Sequence, residues 1–253
     1  MDPMSPDQGP AGMRRVVAGI LMLLCSWGVL GTAEAAPPPA QLIQGQERAE
    51  VIARLQAQQR EVTSVQAAVV QRKRHPLLAA EVTSEGRLLF KRPGLVRWEV
   101  DTPERTIIVI DGHTLLTYRP DRKVAEWRDL RDDFGARAAV EFFTSGLNLA
   151  VPDLEKRFQV DVYRENGTTV FLLTPRSRLV AQAIASVTIY RQDTDAVPRQ
   201  IVVVGPKGDR TDITLSHVTI NPQVAADAFT LTLGSDVRVT NVGKPAGGTP
   251  SDR

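Results

Sequence analysis

From Val62 onward the chain alternates apolar and polar side chains with period 2, and turn-forming clusters break the alternation at short intervals. Such a texture buries one face of each segment and joins neighbours by tight turns, which makes antiparallel sheet. The first run reads as Ser64–Lys73, Glu81–Lys91, Leu95–Val100, Thr106–Asp111, Thr114–Arg119 and Lys123–Arg128. The second reads as Phe158–Tyr163, Thr168–Thr174, Ile184–Arg191, Pro198–Val204, Thr211–Val218 and a closing Phe229–Leu233. DGHT, RPDRK, ENGT, QDTDAV and PKGD supply turns. Between the runs, DDFGARAAVEFFTSGLNL spaces Phe134, Ala138 and Phe142 four apart with Ala139 and Phe143 beside them. This spacing predicts a helix, irregular near Gly135 and ending by Gly146. A second amphipathic helix is predicted over Glu47–Arg60, with Val51, Ile52 and Leu55 as its apolar stripe. The fold class is therefore mainly β, about eleven antiparallel strands around one helical insertion. Two arrangements bury the apolar face: a closed barrel, or an unclosed half-barrel with helices lying in its hollow as a lid. Periodicity does not choose between them.

One stretch, GRLLFKRPGLVRW, departs from this logic. Alternation places Val82, Gly86, Leu88 and Phe90 on one face and Glu81, Thr83, Glu85 and Arg87 on the other. Extended to Arg92, it aims a permanently charged guanidinium toward the apolar side, just before Pro93 stops the strand. An unpaired charge there is costly, so it needs a partner. Helix-end or loop carbonyls of a lid suit the five-donor guanidinium fork. The alternative is a strand-end arginine that reaches back to solvent. Arg97 has the opposite parity from Trp98 and is expected to face away from the apolar side.

The ends of the chain have their own texture. Met13-Arg14-Arg15, the apolar run from Val16 to Leu30, and Ala33-Glu34-Ala35 together read as a cleavable export signal over 1–35, with Met13 the better initiator. The apolar run is about 15 residues, short of a bilayer span. Cys25, the only cysteine, follows Leu24, which is the wrong neighbour for lipid attachment. Residues 36–46 form a Pro-rich leader, 47–240 a single domain, and 241–253 a tail that reads as disordered. Without cysteine the mature domain depends on core burial.

Catalytic patterns are missing from the sequence. His75, His113 and His217 stand far apart with no metal-ligand spacing, and His113 reads as a solvated turn residue. No nucleophile elbow, phosphate loop or dinucleotide fingerprint occurs. Asp132-Asp133 reads as a helix cap. A net charge of +2 and sparse aromatics exclude a nucleic-acid surface. A binder without cofactor is expected, not an enzyme.

Several stretches resemble the periplasmic lipoprotein carriers of the LolA type. These are VTSVQAAVVQRK (62–73), GRLLFKRPGLVRWEVDTP (86–103), TIIVIDGHTLLTYRPDRKV (106–124), FFTSGLNL (142–149), FLLTPRS (171–177) and VAADAFTLTLGSDVRV (224–239). The resemblance implies an unclosed half-barrel capped by helices, with Arg92 as the latch of the lid. Candidate lining residues are Leu88, Phe90, Val96, Trp98, Leu116, Phe142 and Phe143, each of which ordinary core packing explains equally well. Val65, Val69 and Leu116 stand where the family often carries aromatics, which thins the lining. The resemblance further implies a monomer in the periplasm that takes acylated lipoproteins or lipid from an inner-membrane lipoprotein-releasing transporter to an outer-membrane receptor. Two alternatives share the fold: a lipid-anchored receptor, and a sensor or scaffold that holds a protein partner or another lipid.

Overall fold

The computed structural model describes residues 41–76, 80–147 and 149–242. The expected export signal with Met13, Cys25 and Ala33–Ala35, the start of the leader, and tail residues 243–253 lie outside the described residues.

One sheet of 13 strands makes up the body. In chain order the strands are β1 (Gln41–Ile43), β2 (Ser64–Arg74), β3 (Val82–Lys91), β4 (Leu95–Thr102), β5 (Thr106–Ile110), β6 (Thr114–Arg119) and β7 (Val124–Asp129). They continue with β8 (Phe158–Glu165), β9 (Thr168–Pro175), β10 (Ser186–Gln192), β11 (Gln200–Val204), β12 (Arg210–Ile220) and β13 (Arg238–Asn241). The spatial order is β1-β8-β9-β10-β11-β12-β2-β3-β4-β5-β6-β7-β13. The sheet is unclosed, because β1 and β13 end it without pairing with each other. Every pairing is antiparallel except β13 with β7.

Two strands that the alternation does not predict, β1 and β13, lie at the ends. β1 and β13 are too short to carry a visible alternation. β1 occupies part of the expected leader, and its Ile43 is buried against β8. The expected strand Phe229–Leu233 is irregular; the chain there crosses the outer face and forms β13 only at Arg238.

Helix α1 (Gly45–Arg60) buries Val51, Leu55 and Gln59. Helix α2 (Phe134–Leu147) runs without interruption through Gly135, contrary to the expected irregularity. The Asp133 carboxylate accepts from the Ala136 amide at 2.9 Å, so this acid caps the helix as its position suggested. A short helix α3 (Val151–Glu155) follows and buries Val151 and Leu154. Residues of α1, α2 and α3 join one apolar cluster with the inward face of the sheet.

Register builds that face row by row. Val65, Phe90, Val96, Ile110 and Leu115 stand side by side across β2 to β6, and Ala67, Leu88, Trp98 and Ile108 form the next row. On the other half, Val162, Phe171, Ile189, Ile201 and Ile213 align across β8 to β12. Gly86 sits at a register shift between β3 and β4, where a Cβ would lie 1.9 Å from the Glu99 carbonyl oxygen. Gly86→Ala is expected to destabilise by about 1–3 kcal/mol, because backbone rather than a side chain must yield. Urea unfolding checks this, and an unchanged midpoint would exclude the close approach.

Candidate functional site: an apolar hollow under a helical lid

The curve of the sheet leaves a hollow that α2 closes. Phe143 of α2 stacks on Trp98 of β4, with ring centroids 5.8 Å apart and planes 9° from parallel. Beside that pair a cavity of about 10 Å³ remains, lined by Val69, Leu88, Trp98, Phe143, Leu147, Ile201, Ile213 and Leu215. Every lining residue is apolar. The space holds at most one water, so the lid itself fills the closed hollow.

Two side-chain ion pairs tie the lid among the described residues, one at its start and one at its middle. Glu141 pairs with Arg157, both well exposed, and such a pair contributes about 0–1 kcal/mol. Asp133 accepts from Arg128 of β7 at 3.4 Å in a more sheltered setting. Just before the lid, the Asp129 carboxyl is held down at about 2, chiefly by the hydrogen bond from the Arg131 side chain. The lid is thus seated mainly by apolar packing.

Leu88, Phe90, Val96 and Trp98 are buried in the inward cluster, at 2 %, 1 %, 1 % and 6 % exposure, and Phe143 packs against it. Leu88, Trp98 and Phe143 border the cavity directly. The Phe142 side chain lies outside the described residues. Leu116 is a correction. Its cross-strand partners are Val109 and Trp127, whereas Leu115 joins the inward row, so Leu116 faces outward. The Asp111 carboxylate accepts from the amides of His113 and Thr114 and shapes the hairpin turn that sets this register. A shift of one residue there exchanges the faces.

Arg92 falls one residue beyond the end of β3, in a turn, so strict alternation does not extend to it. Its backbone amide donates to the Thr63 carbonyl at 2.9 Å. Thr63 is held in turn by Asn221, whose side-chain oxygen accepts from the Thr63 and Ser64 amides at 2.7 and 3.1 Å. The Arg92 Nε is buried and has no hydrogen-bond partner among the described residues.

Two arginines have roles that the pattern did not reveal. Arg97 faces outward as expected, yet it donates to the carbonyls of Ala228 and Thr230 at 3.3 and 3.4 Å. It thereby clasps the C-terminal segment across the outer face, over the side of the sheet where Val109 is buried. Arg191, 3 % exposed, sits inward on β10 and donates to the Gln58 side chain of α1 and to the Asp193 carbonyl. Burial lowers its pKa, while Asp193 and Asp195 oppose the shift. Neither role has a short-range signal; both depend on partners far away in the chain.

An unclosed, almost wholly antiparallel sheet with a helix seated on its apolar face defines a half-barrel with a helical lid. The family model described as Outer membrane lipoprotein carrier protein LolA matches residues 60–232, and the chain belongs to this family of lipoprotein carriers. An outer-membrane lipoprotein carrier protein from Cupriavidus pinatubonensis is 30 % identical over 158 residues, covering 61 % of this chain and 70 % of the relative. One from Coxiella burnetii is 33 % identical over 93 residues, covering 37 % of this chain and 42 % of the relative, so the chain spans less than half of that relative's length. Among solved structures, the LolA superfamily protein NE2245 from Nitrosomonas europaea superposes with a TM-score of 0.38 at 13 % identity, covering 72 % of this chain and 97 % of that one.

Proposed function

We propose that this protein is a periplasmic carrier that shelters the acyl chains of lipoproteins on their way from the inner to the outer membrane. The observation that supports it best is the wholly apolar lining of the hollow beneath a lid held chiefly by packing. Each CH₂ withdrawn from water contributes ~0.8 kcal/mol, so a 16-carbon chain gains on the order of 10 kcal/mol before the lid is displaced. Phe143 and Leu147 reach into the closed hollow and line what remains of it. Their withdrawal offsets part of that gain, which keeps loading reversible. Family membership and the export signal expected from the sequence support a route through the periplasm. An inner-membrane lipoprotein-releasing transporter is the donor in this reading, and an outer-membrane receptor is the acceptor. The protein acts by binding, without cofactor or catalysis. Arg92 serves as the latch, its Nε, unpartnered among the described residues, donating to lid carbonyls as the lid moves.

The test uses N-phenyl-1-naphthylamine, a neutral dye that fluoresces in apolar surroundings. A palmitoylated peptide is expected to displace it at least ~10-fold more effectively than the same peptide without its acyl chain. Equal competition by the two peptides would show a protein-binding surface and reject the carrier reading.

A further inference from the structure

The inward row Val162, Phe171, Ile189, Ile201, Ile213 continues onto β2 at a residue that breaks the pattern. The cross-strand partner of Ile213 is Gln71. Val69, two positions earlier on the same face, borders the cavity, as does Ile213. Gln71 therefore adjoins the lining of the hollow on the inward face, with Ile213 as its neighbour on one side and Ser84 on the other. It is 2 % exposed, yet its Nε2 has no hydrogen-bond partner among the described residues.

Burying an amide N–H without an acceptor is unfavourable, and an apolar side chain of the same shape would avoid the penalty. The same imbalance recurs nearby. Gln59 of α1 and Arg191 of β10 each have a buried nitrogen without a partner among the described residues, Nε2 and Nε respectively. All three are donors, so the complementary atom on a guest is an acceptor oxygen. Arg191 is partly served by Gln58 and Asp193, and Gln59 belongs to α1. Gln71 alone among them neighbours the cavity-lining pair directly.

We propose that Gln71 determines specificity in the hollow. When the lid withdraws, its Nε2–H donates to the carbonyl oxygen of an ester- or amide-linked acyl chain. The site then takes acyl groups in preference to ether-linked or plain alkyl chains of equal length. This rests on the hollow being an acyl-chain site, and it adds the linkage chemistry that the hollow selects.

Methyl laurate and 1-methoxydodecane differ at the oxygenated end by the carbonyl oxygen, and both can be titrated against bound N-phenyl-1-naphthylamine. The unaltered protein is expected to prefer the ester by about 5–10-fold, the range of one neutral hydrogen bond. Gln71→Leu is expected to lose that preference while its affinity for the ether stays within ~2-fold, since the amide is gone and apolar bulk of similar size remains. The variant should also melt no lower than the parent, because an unpaired donor is removed from the apolar row. Displacement by both ligands without preference, or a preference that persists in Gln71→Leu, overturns the role of Gln71 and leaves the carrier reading standing. Displacement by neither ligand overturns both. A clearly lowered melting temperature for Gln71→Leu shows that the amide has a structural partner, and likewise overturns the proposal. The ester-to-ether comparison on the unaltered protein stands independently of how the variant folds.

Discussion

Trp98→Ala is expected to cost about 3–5 kcal/mol of folding stability, the largest effect of any single truncation considered in the hollow. The indole is 6 % exposed and belongs to the row Ala67, Leu88, Trp98, Ile108, so its removal leaves a void bounded by three other strands. It also supports the Phe143 ring, and an aromatic pair contributes ~0.5–1.5 kcal/mol beyond area burial. The consequence should concentrate on the lid. Amide exchange in α2 is expected to accelerate more in Trp98→Ala than in a variant such as Val162→Ala, whose residue lies on β8. Urea unfolding gives the stability change. A loss below ~1 kcal/mol, or equal acceleration of α2 exchange in both variants, would show that the stack does not seat the lid.

Arg92→Leu is expected to leave the protein folded and to retain apolar cargo about tenfold longer when an acceptor is supplied, the effect of losing one charge-assisted hydrogen-bond set that would form only as the lid recloses. The unfolding midpoint should not fall, because the buried Nε has no partner among the described residues and leucine brings no donor. The backbone bond from Arg92 to Thr63 does not depend on the side chain. The appropriate control is Arg87→Leu, because the Arg87 side chain is 65 % exposed and pairs with Glu99 on the outer face. Arg97→Leu is not a silent control, since Arg97 clasps the C-terminal segment. Transfer that is unchanged in Arg92→Leu, or equally slowed in Arg87→Leu, would falsify the latch. In that case Asp133–Arg128 and Glu141–Arg157 become the polar ties to test.

Much of this architecture is legible in the linear chain. Alternation with period 2 from Val62 onward dictates antiparallel strands because one face of each must leave water, and β2 to β12 lie close to where that pattern puts them. The fourfold spacing of Phe134, Ala138 and Phe142 and the acids before it identify the lid helix and its cap. Leu88, Phe90, Val96 and Trp98 sit on the inward face because alternation within a single strand is a local property. By itself, then, the sequence determined the sheet, the helix laid over it and the inward side of each long strand. Only the tertiary structure decided the rest. Leu116 turns outward because the Asp111 turn sets the register of β6, and register is a relation between strands. The sheet remains open because β1 and β13 end it apart, and each is too short to announce itself. Arg97, Asn221 and Arg191 hold their segments through partners 131, 158 and 133 positions away, and the pairing of β2 with β12 sets Gln71 beside Ile213. Hydrogen bonds and packing act across space, so no local pattern in the chain encodes them.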